Sequence, residues 1–199
     1  MKKYSGITAV IFFLVLCVPG FSNAQAEEWE IDKNHSNIYF DVDHTFVTVR
    51  GLFEDYSGTV VFDPDDKEAS SIDFTVKVDS INTNITKRDN HLRSEDFFAA
   101  RKYPEMSFSS KEIRHEGDDQ YTVKGDLTIK SVTEEVEVPF RFFGMKDNPL
   151  EEGQKVAGFE AEFTINRLDY NVGNGQFARM GVVGEEVDIL IALEVLKDR

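Results

Sequence analysis

Only a few residues have side chains and spacing that could do chemistry. The chain has 4 histidines, and two of them, His35 and His44, follow Asp32 closely enough to suggest a set of metal ligands. Zinc sites favour His-x-His or His-x-x-x-His pairs, and the sequence contains neither. The acidic stretch 63–68 lacks the central glycine and the final glutamate spacing of a calcium loop. We therefore predict no bound metal and no other cofactor.

Hydrolytic chemistry would need a nucleophile beside a base and a group that orients the base. The sequence contains no Gly-x-Ser-x-Gly pattern and no Walker-type loop. Its single cysteine, Cys17, lies in an N-terminal segment that we expect to be removed, so the mature chain would have no thiol. We predict no catalytic residues and no enzyme activity.

The N-terminal segment has the order of parts of a secretory signal peptide. Two lysines are followed by an uncharged apolar run over 7–18 and then by Pro19. Small residues place the cleavage after Ala24 or Ala26. The apolar run is shorter than the ~20 residues that cross a bilayer, which disfavours an uncleaved anchor. We predict a cleaved signal peptide over 1–26 and one domain over 27–199.

Charge restricts the partners of the mature chain. The sequence has 37 acidic and 22 basic residues, a net charge of −15; removing Lys2 and Lys3 makes the net charge −17. Such a surface repels nucleic acid and anionic lipid head groups. We expect no nucleic-acid partner and no stable membrane insertion after cleavage. A homodimer stays open as an alternative to a monomer.

The elements that must position any site are mostly strands. Apolar and polar residues alternate with period two, which is typical of half-buried strands. The alternating segments cover 38–42, 47–53, 57–62, 72–78, 106–108, 121–129, 136–142, 159–165 and 187–193. Joined by short turns, they predict an all-β antiparallel barrel of about eight strands.

One segment, 86–102, lacks this alternation. Thr86 with Asp89 suggests a capping box, and Ser94 followed by acids suggests a second N-cap. We expect one or two short helices here, at one end of the barrel. Phe97 and Phe98 would then be adjacent on a helix, so that no more than one of them could face the interior.

The interior is rich in phenylalanine, with 17 in the chain. An eight-stranded barrel can fill itself with side chains or hold one small ligand. Periodicity does not separate these cases, and apolar faces more often mean packing. The residues alone leave both alternatives open.

Several local patterns, in order along the chain, resemble the YceI-like family. They are Trp29, Asp32, His35-Ser36, Ile38-Tyr39-Phe40, His44, Gly51-Leu52-Phe53, Gly58, the run from Ser80 to Phe98, Tyr103 to Phe108, Gly125 to Ile129, Val132-Thr133, Ala157 to Ala161 and Ile165 to Tyr170. The resemblance implies a lipocalin-like barrel in the periplasm. It also implies an apolar tunnel that binds and carries a polyisoprenoid lipid, such as a quinone or a polyprenyl phosphate.

The resemblance also suggests site residues. His44 and His91 would contact a lipid head group. Alternatively, each would be a structural histidine whose ring nitrogens form hydrogen bonds within the protein. Arg88 would meet a phosphate, or it would form a surface ion pair beside a helix cap, which we favour. The tunnel-lining candidates are Phe40, Phe53, Phe62, Phe74, Phe97, Phe108, Phe140, Phe142 and Phe163. The segment 171–183 resembles the family least; as a loop with apolar residues it is either a lid over a tunnel mouth or a loose connection between the last two strands.

Two other functions remain as alternatives. One is an enzyme that acts on a lipid through His44 or His91. The other is a structural or stress protein whose barrel is filled.

Overall fold

The computed structural model describes residues 28–198, so the predicted signal peptide over 1–26 lies outside the described residues. Within this described range, eleven strands form one sheet. They are β1 (Glu28–Ile31), β2 (Asn37–His44), β3 (Val47–Phe53), β4 (Tyr56–Val61), β5 (Ser71–Lys77), β6 (Ile81–Asn82), β7 (Glu105–Gly117), β8 (Gln120–Ile129), β9 (Val132–Asp147), β10 (Gln154–Asn166) and β11 (Val183–Asp198). Two short α-helices, α1 (Thr86–Arg93) and α2 (Gln176–Arg179), and a 3₁₀ turn at Val78–Ser80 complete the fold.

The sheet closes on itself as an antiparallel barrel. Its strand order is β1-β4-β5-β7-β8-β9-β10-β11-β2-β3-β6, and β1 also pairs with β11. Eight strands from β1 to β11 therefore form a closed ring, while β2, β3 and β6 extend the sheet at one end. Closure leaves the ring without an exposed edge. The predicted fold class, an eight-stranded antiparallel barrel with short helices, is confirmed.

Alternation along the strands decides which side chains face inward. In β10, Phe159, Ala161 and Phe163 point into the barrel, and Glu162 and Thr164 are exposed outside. The long ladder between β10 and β11 places inward residues opposite inward residues, for example Phe163 opposite Ile189. Because side chains alternate across a strand, the apolar set of each strand lies on one face.

The helices differ in part from the prediction. Helix α1 begins at Thr86, but its N-cap position is Ile85 and no side chain caps it. The Asp89 carboxylate instead accepts hydrogen bonds from the backbone N–H and the hydroxyl of Thr83. Ser94 ends α1, and turns follow it. The second helix, α2, lies within 171–183 instead. Neither helix in the described part of the chain is long and apolar enough to span a membrane.

Two apolar clusters occupy the barrel. At the end that holds the β7–β8 and β9–β10 turns, the first cluster is built around Trp29, Phe62 and Tyr121. The second cluster joins the strands to the helical segment through Ile81, Phe97 and other residues. These clusters form the hydrophobic core, and the space between them is the candidate site.

Candidate functional site

A cavity of ≈ 230 Å³ lies inside the barrel. A single water needs only about 10–15 Å³, and protein interiors rarely leave larger voids. The cavity is therefore more than a packing defect. Its surface is apolar, and it is bordered by strands from β2 to β11 and by the segment after α1. Several of its large apolar side chains, including Phe74 and Ile189, are only half-buried although they point inward.

The predicted phenylalanines divide into two groups. Seven line the cavity: Phe40, Phe53, Phe74, Phe97, Phe108, Phe140 and Phe163. Phe62 and Phe142 instead pack in the first cluster, with their ring centroids 5.0 Å apart. Phe98 also lines the cavity together with Phe97. The expectation that no more than one of these two faces inward is wrong, because both lie in turns and not on a helix.

Three strand glycines make room for this cavity. A methyl group on Gly51 would lie 2.3 Å from Cζ of Phe40. Phe74 covers Gly58 in the same way, and Phe108 covers Gly125. Each ring therefore lies against the barrel wall where a neighbouring side chain would otherwise stand. Sequence analysis noted these glycines only as part of the family pattern; a glycine inside an alternating strand was the available signal.

We expect Gly51→Ala to weaken ligand binding roughly tenfold, the order of effect of overpacking a core site. The new methyl group would push the Phe40 ring into the cavity, where it competes with the ligand. The same methyl group would also lie 2.9 Å from Cγ2 of the buried Thr83, so we expect a loss of about 1–3 kcal/mol in the free energy of unfolding as well. A titration of lipid binding measures the effect, with Gly158→Ala as the control because a methyl group there has 3.6 Å to its nearest neighbour. Equal affinities of the two variants would contradict the role of Gly51.

Two cations, the buried Arg167 and the half-buried Lys130, organise the helical end of the barrel. Arg167 lines the cavity and donates hydrogen bonds to the carbonyl oxygens of Gly184 and Val172, each at 2.7 Å. Burial lowers the pKa of this guanidinium. Lys130 donates to the carbonyl oxygen of Phe97 at 2.8 Å, and burial lowers its pKa as well. Sequence analysis missed both residues as anchors of this end.

The segment 171–183 packs against the segment that follows α1. The ring of Phe177 stacks on Phe97 with centroids 5.8 Å apart, and His91 meets the edges of both rings. Val172 and Val183 line the cavity. The segment 171–183 therefore packs on this end of the barrel, and its role as a lid stays a prediction.

The barrel opens beside the β2–β3 turn. On β3, only Leu52 and Phe53 pair with β6, so within the described residues the stretch 47–51 has β2 as its sole strand partner. Val47 has the inward phase of Phe53 but is 65% exposed. His44, opposite Val47, also has the inward phase and is exposed. Inward side chains that contact solvent mark an opening of the barrel at this point.

The polar candidates occupy separate places. His44 stands at the opening, and His91 lies on α1 with Nε2 3.0 Å from a carboxylate oxygen of Asp96. Arg88 donates to the hydroxyl and the carbonyl oxygen of Thr83, both at 2.7 Å, so its partner is Thr83 and not the carboxylate of the surface ion pair that we favoured. None of the three lines the cavity. Their contact with a head group stays a prediction.

Within residues 28–198, one group of side chains could hold a metal ion. Asp32, His35 and Glu194 have ligand atoms within 4.8 Å of one another. Nδ1 of His35 lies 2.7 Å from the Asp32 carboxylate and 3.7 Å from that of Glu194. The nitrogen that would bind the metal is thus already hydrogen-bonded to Asp32. The absence of a metal stays a prediction.

This group predicts a pH-dependent contribution to stability. The hydrogen bond with Asp32 raises the pKa of His35, and the same bond lowers the pKa of Asp32. The contribution of His35 to the free energy of unfolding is complete below the ordinary histidine pKa of about 6.5, and it is lost as pH rises through the raised pKa of the folded protein. The contribution of Asp32 is complete above the ordinary aspartate pKa of about 3.9, and it is lost as pH falls through the lowered pKa of the folded protein.

We therefore expect His35→Ala to reduce the free energy of unfolding most between about pH 4 and pH 6.5, and less at pH 9. Guanidinium unfolding of both proteins at pH 5 and pH 9 measures the difference. An equal loss at the two pH values would show that His35 contributes only by packing.

Comparison with known proteins agrees with this architecture. The model of the YceI-like domain family matches residues 29–195. Protein YceI of Escherichia coli O6:H1 is 35% identical over 180 residues, which cover 89% of this chain and 91% of that protein.

Solved structures match as well. Burkholderia cenocepacia BcnA superposes with a TM-score of 0.74 at 28% identity, over 83% of this chain and 99% of that chain. A polyisoprenoid binding domain from Saccharophagus degradans, implicated in plant cell wall breakdown, superposes with a TM-score of 0.61 at 14% identity, over 84% and 97%. This second likeness bears on the fold alone. The matched family model and the relative at 35% identity show that the chain belongs to the YceI-like family.

Proposed function

We propose that this protein binds a long isoprenoid lipid inside the barrel and carries it, without chemical change, in the periplasm. The observation that carries the proposal is the apolar cavity between two packed clusters. Lipid tails are the ligands that such a surface favours, because each buried methylene group contributes about 0.8 kcal/mol.

The polyisoprenoid-binding domain of Saccharophagus degradans supports this ligand class, since its barrel has the same fold. A quinone and a polyprenyl phosphate are the two head-group classes we propose to test. The lining is almost entirely apolar, and its one cation, Arg167, already donates to the carbonyl oxygens of Gly184 and Val172. We therefore place the head group at the opening, near His44.

The two alternatives are less well supported. An enzyme that acts on the lipid through His91 would need this side chain close to the bound lipid, and His91 does not line the cavity. His44 stands at the opening, where we place the head group, so the His44→Ala variant below tests that alternative. A filled barrel would bury its inward side chains completely, whereas Phe74 and Ile189 remain half-buried.

The direct experiment is native mass spectrometry of the exported protein, followed by organic extraction of any released lipid. We expect one isoprenoid lipid per barrel. Protein that carries no lipid, and takes up none from quinones or polyprenyl phosphates, would contradict the proposal. Release of a chemically altered lipid, lost in His44→Ala or His91→Ala, would favour the enzyme instead.

We propose export because of the N-terminal pattern in residues 1–26. The expected result is mature protein in the periplasmic fraction, with an N-terminus that follows Ala24 or Ala26. Edman sequencing or intact mass measures it. Recovery of the full-length chain in the cytoplasm would contradict export.

A further inference from the structure

We infer that the opening of the barrel docks on a zwitterionic phospholipid bilayer through an apolar rim formed by Phe46, Val47 and Met180. This inference rests on the proposed function, because it concerns how the lipid enters and leaves the cavity. The three side chains are 96%, 65% and 62% exposed. Large apolar side chains with such exposure mark interaction surfaces when they lie together.

The rim is held together by the backbone. Phe46 and Val47 lie at the β2–β3 turn, and Met180 ends α2. The backbone N–H of Thr45 donates to the carbonyl oxygen of Val182 at 3.0 Å, which joins the two segments side by side. The packing of Phe177 on Phe97 further fixes α2 against the barrel. The rim is thus one surface made of two turns.

The rim continues into the cavity. Val42 and Val183 line the cavity from the same two segments, on adjoining strands. A lipid that passes the opening would therefore move from cavity to rim without leaving apolar surface. Each methylene group that becomes exposed to water would lower the equilibrium constant for release of the lipid into water about fourfold. A long chain would therefore not leave the cavity by free diffusion. Direct transfer between barrel and bilayer avoids this cost.

Charge selects the kind of bilayer. Residues 44–49 and 180–184 contain no acidic residue, lysine or arginine, although 30% of the chain is charged. Charged residues of both signs flank these two ranges, namely Asp43, Arg50, Arg179 and Glu185, and Arg50 is paired with Asp41 at 2.6 Å. The protein as a whole is acidic, so an anionic membrane would repel it. A zwitterionic surface fits the uncharged rim.

A second copy of this chain is a weaker occupant. Stable protein–protein interfaces bury about 1,200–2,000 Å² in total. Three side chains at two turns supply only a small part of that area. A bilayer needs no such area, because apolar side chains can insert singly into its interface.

The test measures how fast lipid moves from vesicles to protein. Phosphatidylcholine vesicles are loaded with an isoprenoid quinone or, in a parallel set, with a polyprenyl phosphate. Protein is separated from vesicles at timed intervals, and its lipid content is measured after extraction. The variants are the double substitution Phe46→Ser with Met180→Ser and the control Leu150→Ser, whose side chain is 90% exposed in the β9–β10 turn at the other end of the barrel.

We expect the rim variant to transfer lipid roughly tenfold more slowly than the natural protein and Leu150→Ser to transfer it at the natural rate. Final occupancy should be equal in all three, because the cavity is unchanged. Vesicles that contain anionic phosphatidylglycerol should slow transfer to the natural protein.

Other outcomes separate the two claims. If the natural protein takes up neither lipid, the proposed function fails. If it takes up lipid and the rim variant does so equally fast, only the docking inference fails. A dimer that the rim substitutions convert to a monomer, with an unchanged transfer rate, would assign the rim to a second copy and overturn the inference.

Discussion

Replacing Ala161 by tryptophan is expected to weaken isoprenoid binding by more than a hundredfold and to leave the barrel folded. Ala161 lines the cavity on β10, between Ile191 of β11 and Phe140 of β9. The indole would occupy space that the lipid needs. Losing the burial of about four methylene groups, at about 0.8 kcal/mol each, costs about 3 kcal/mol, or over a hundredfold in Kd. A titration of the delipidated protein with lipid measures this change in Kd.

The control for this variant is Glu162→Trp. Glu162 is the next residue of the same strand, but its side chain is exposed outside the barrel. Circular dichroism of both variants verifies that the barrel is folded. Undiminished binding by a folded Ala161→Trp protein would show that the lipid does not occupy this part of the cavity.

Replacing Phe62 by alanine is expected to produce the largest loss of stability, about 3–5 kcal/mol. Its ring lies 5.0 to 6.0 Å from the rings of four others, which are Tyr121, Phe140, Phe142 and Phe159. The truncation would leave a void in the first cluster that these rings cannot fill. Because proteins of this kind are stable by only about 5–15 kcal/mol, the change should be plain in guanidinium unfolding.

Phe74→Ala provides the contrast. Phe74 is half-buried and faces the cavity, so fewer of its packing contacts are lost on truncation. We expect about half the loss in stability that Phe62→Ala causes, together with altered lipid binding. Equal losses for both variants would mean that the cavity wall and the first cluster are packed alike.

Strand positions could be predicted from the sequence because the signal is local. Phe159, Ala161 and Phe163 alternate with polar residues, and the pleat of a strand sends alternate side chains to opposite faces. The structure places them inside β10 as expected. The same reasoning located the other strands, and closure follows because a sheet of this size exposes edges unless it closes.

The helical segment was predicted less well, because its contacts are not local. Thr86 and Asp89 have the spacing of a capping box, yet Asp89 bonds to Thr83, which precedes the helix. The Ser94 hydroxyl accepts from the backbone N–H of Asp96 at 3.3 Å, as an N-cap would, but it also donates to the carbonyl oxygen of His91 at the end of α1, and only turns follow it. Side chains of these types form local hydrogen bonds in caps and in turns alike, so their presence does not by itself predict a helix.

The sequence by itself therefore determined the strands, the inward faces, the acidic surface and, through its resemblance, the family. Tertiary structure alone decided that the interior holds a cavity. That outcome depends on rings such as Phe40 lying over glycines such as Gly51. The two residues are on different strands, and the alternation within one strand does not predict which residues of its neighbour they will face. The opening at Val47 likewise could not be predicted from alternation. Its position in the strand pattern predicts a buried side chain, and Val47 is exposed because β6 pairs only with Leu52 and Phe53 of β3.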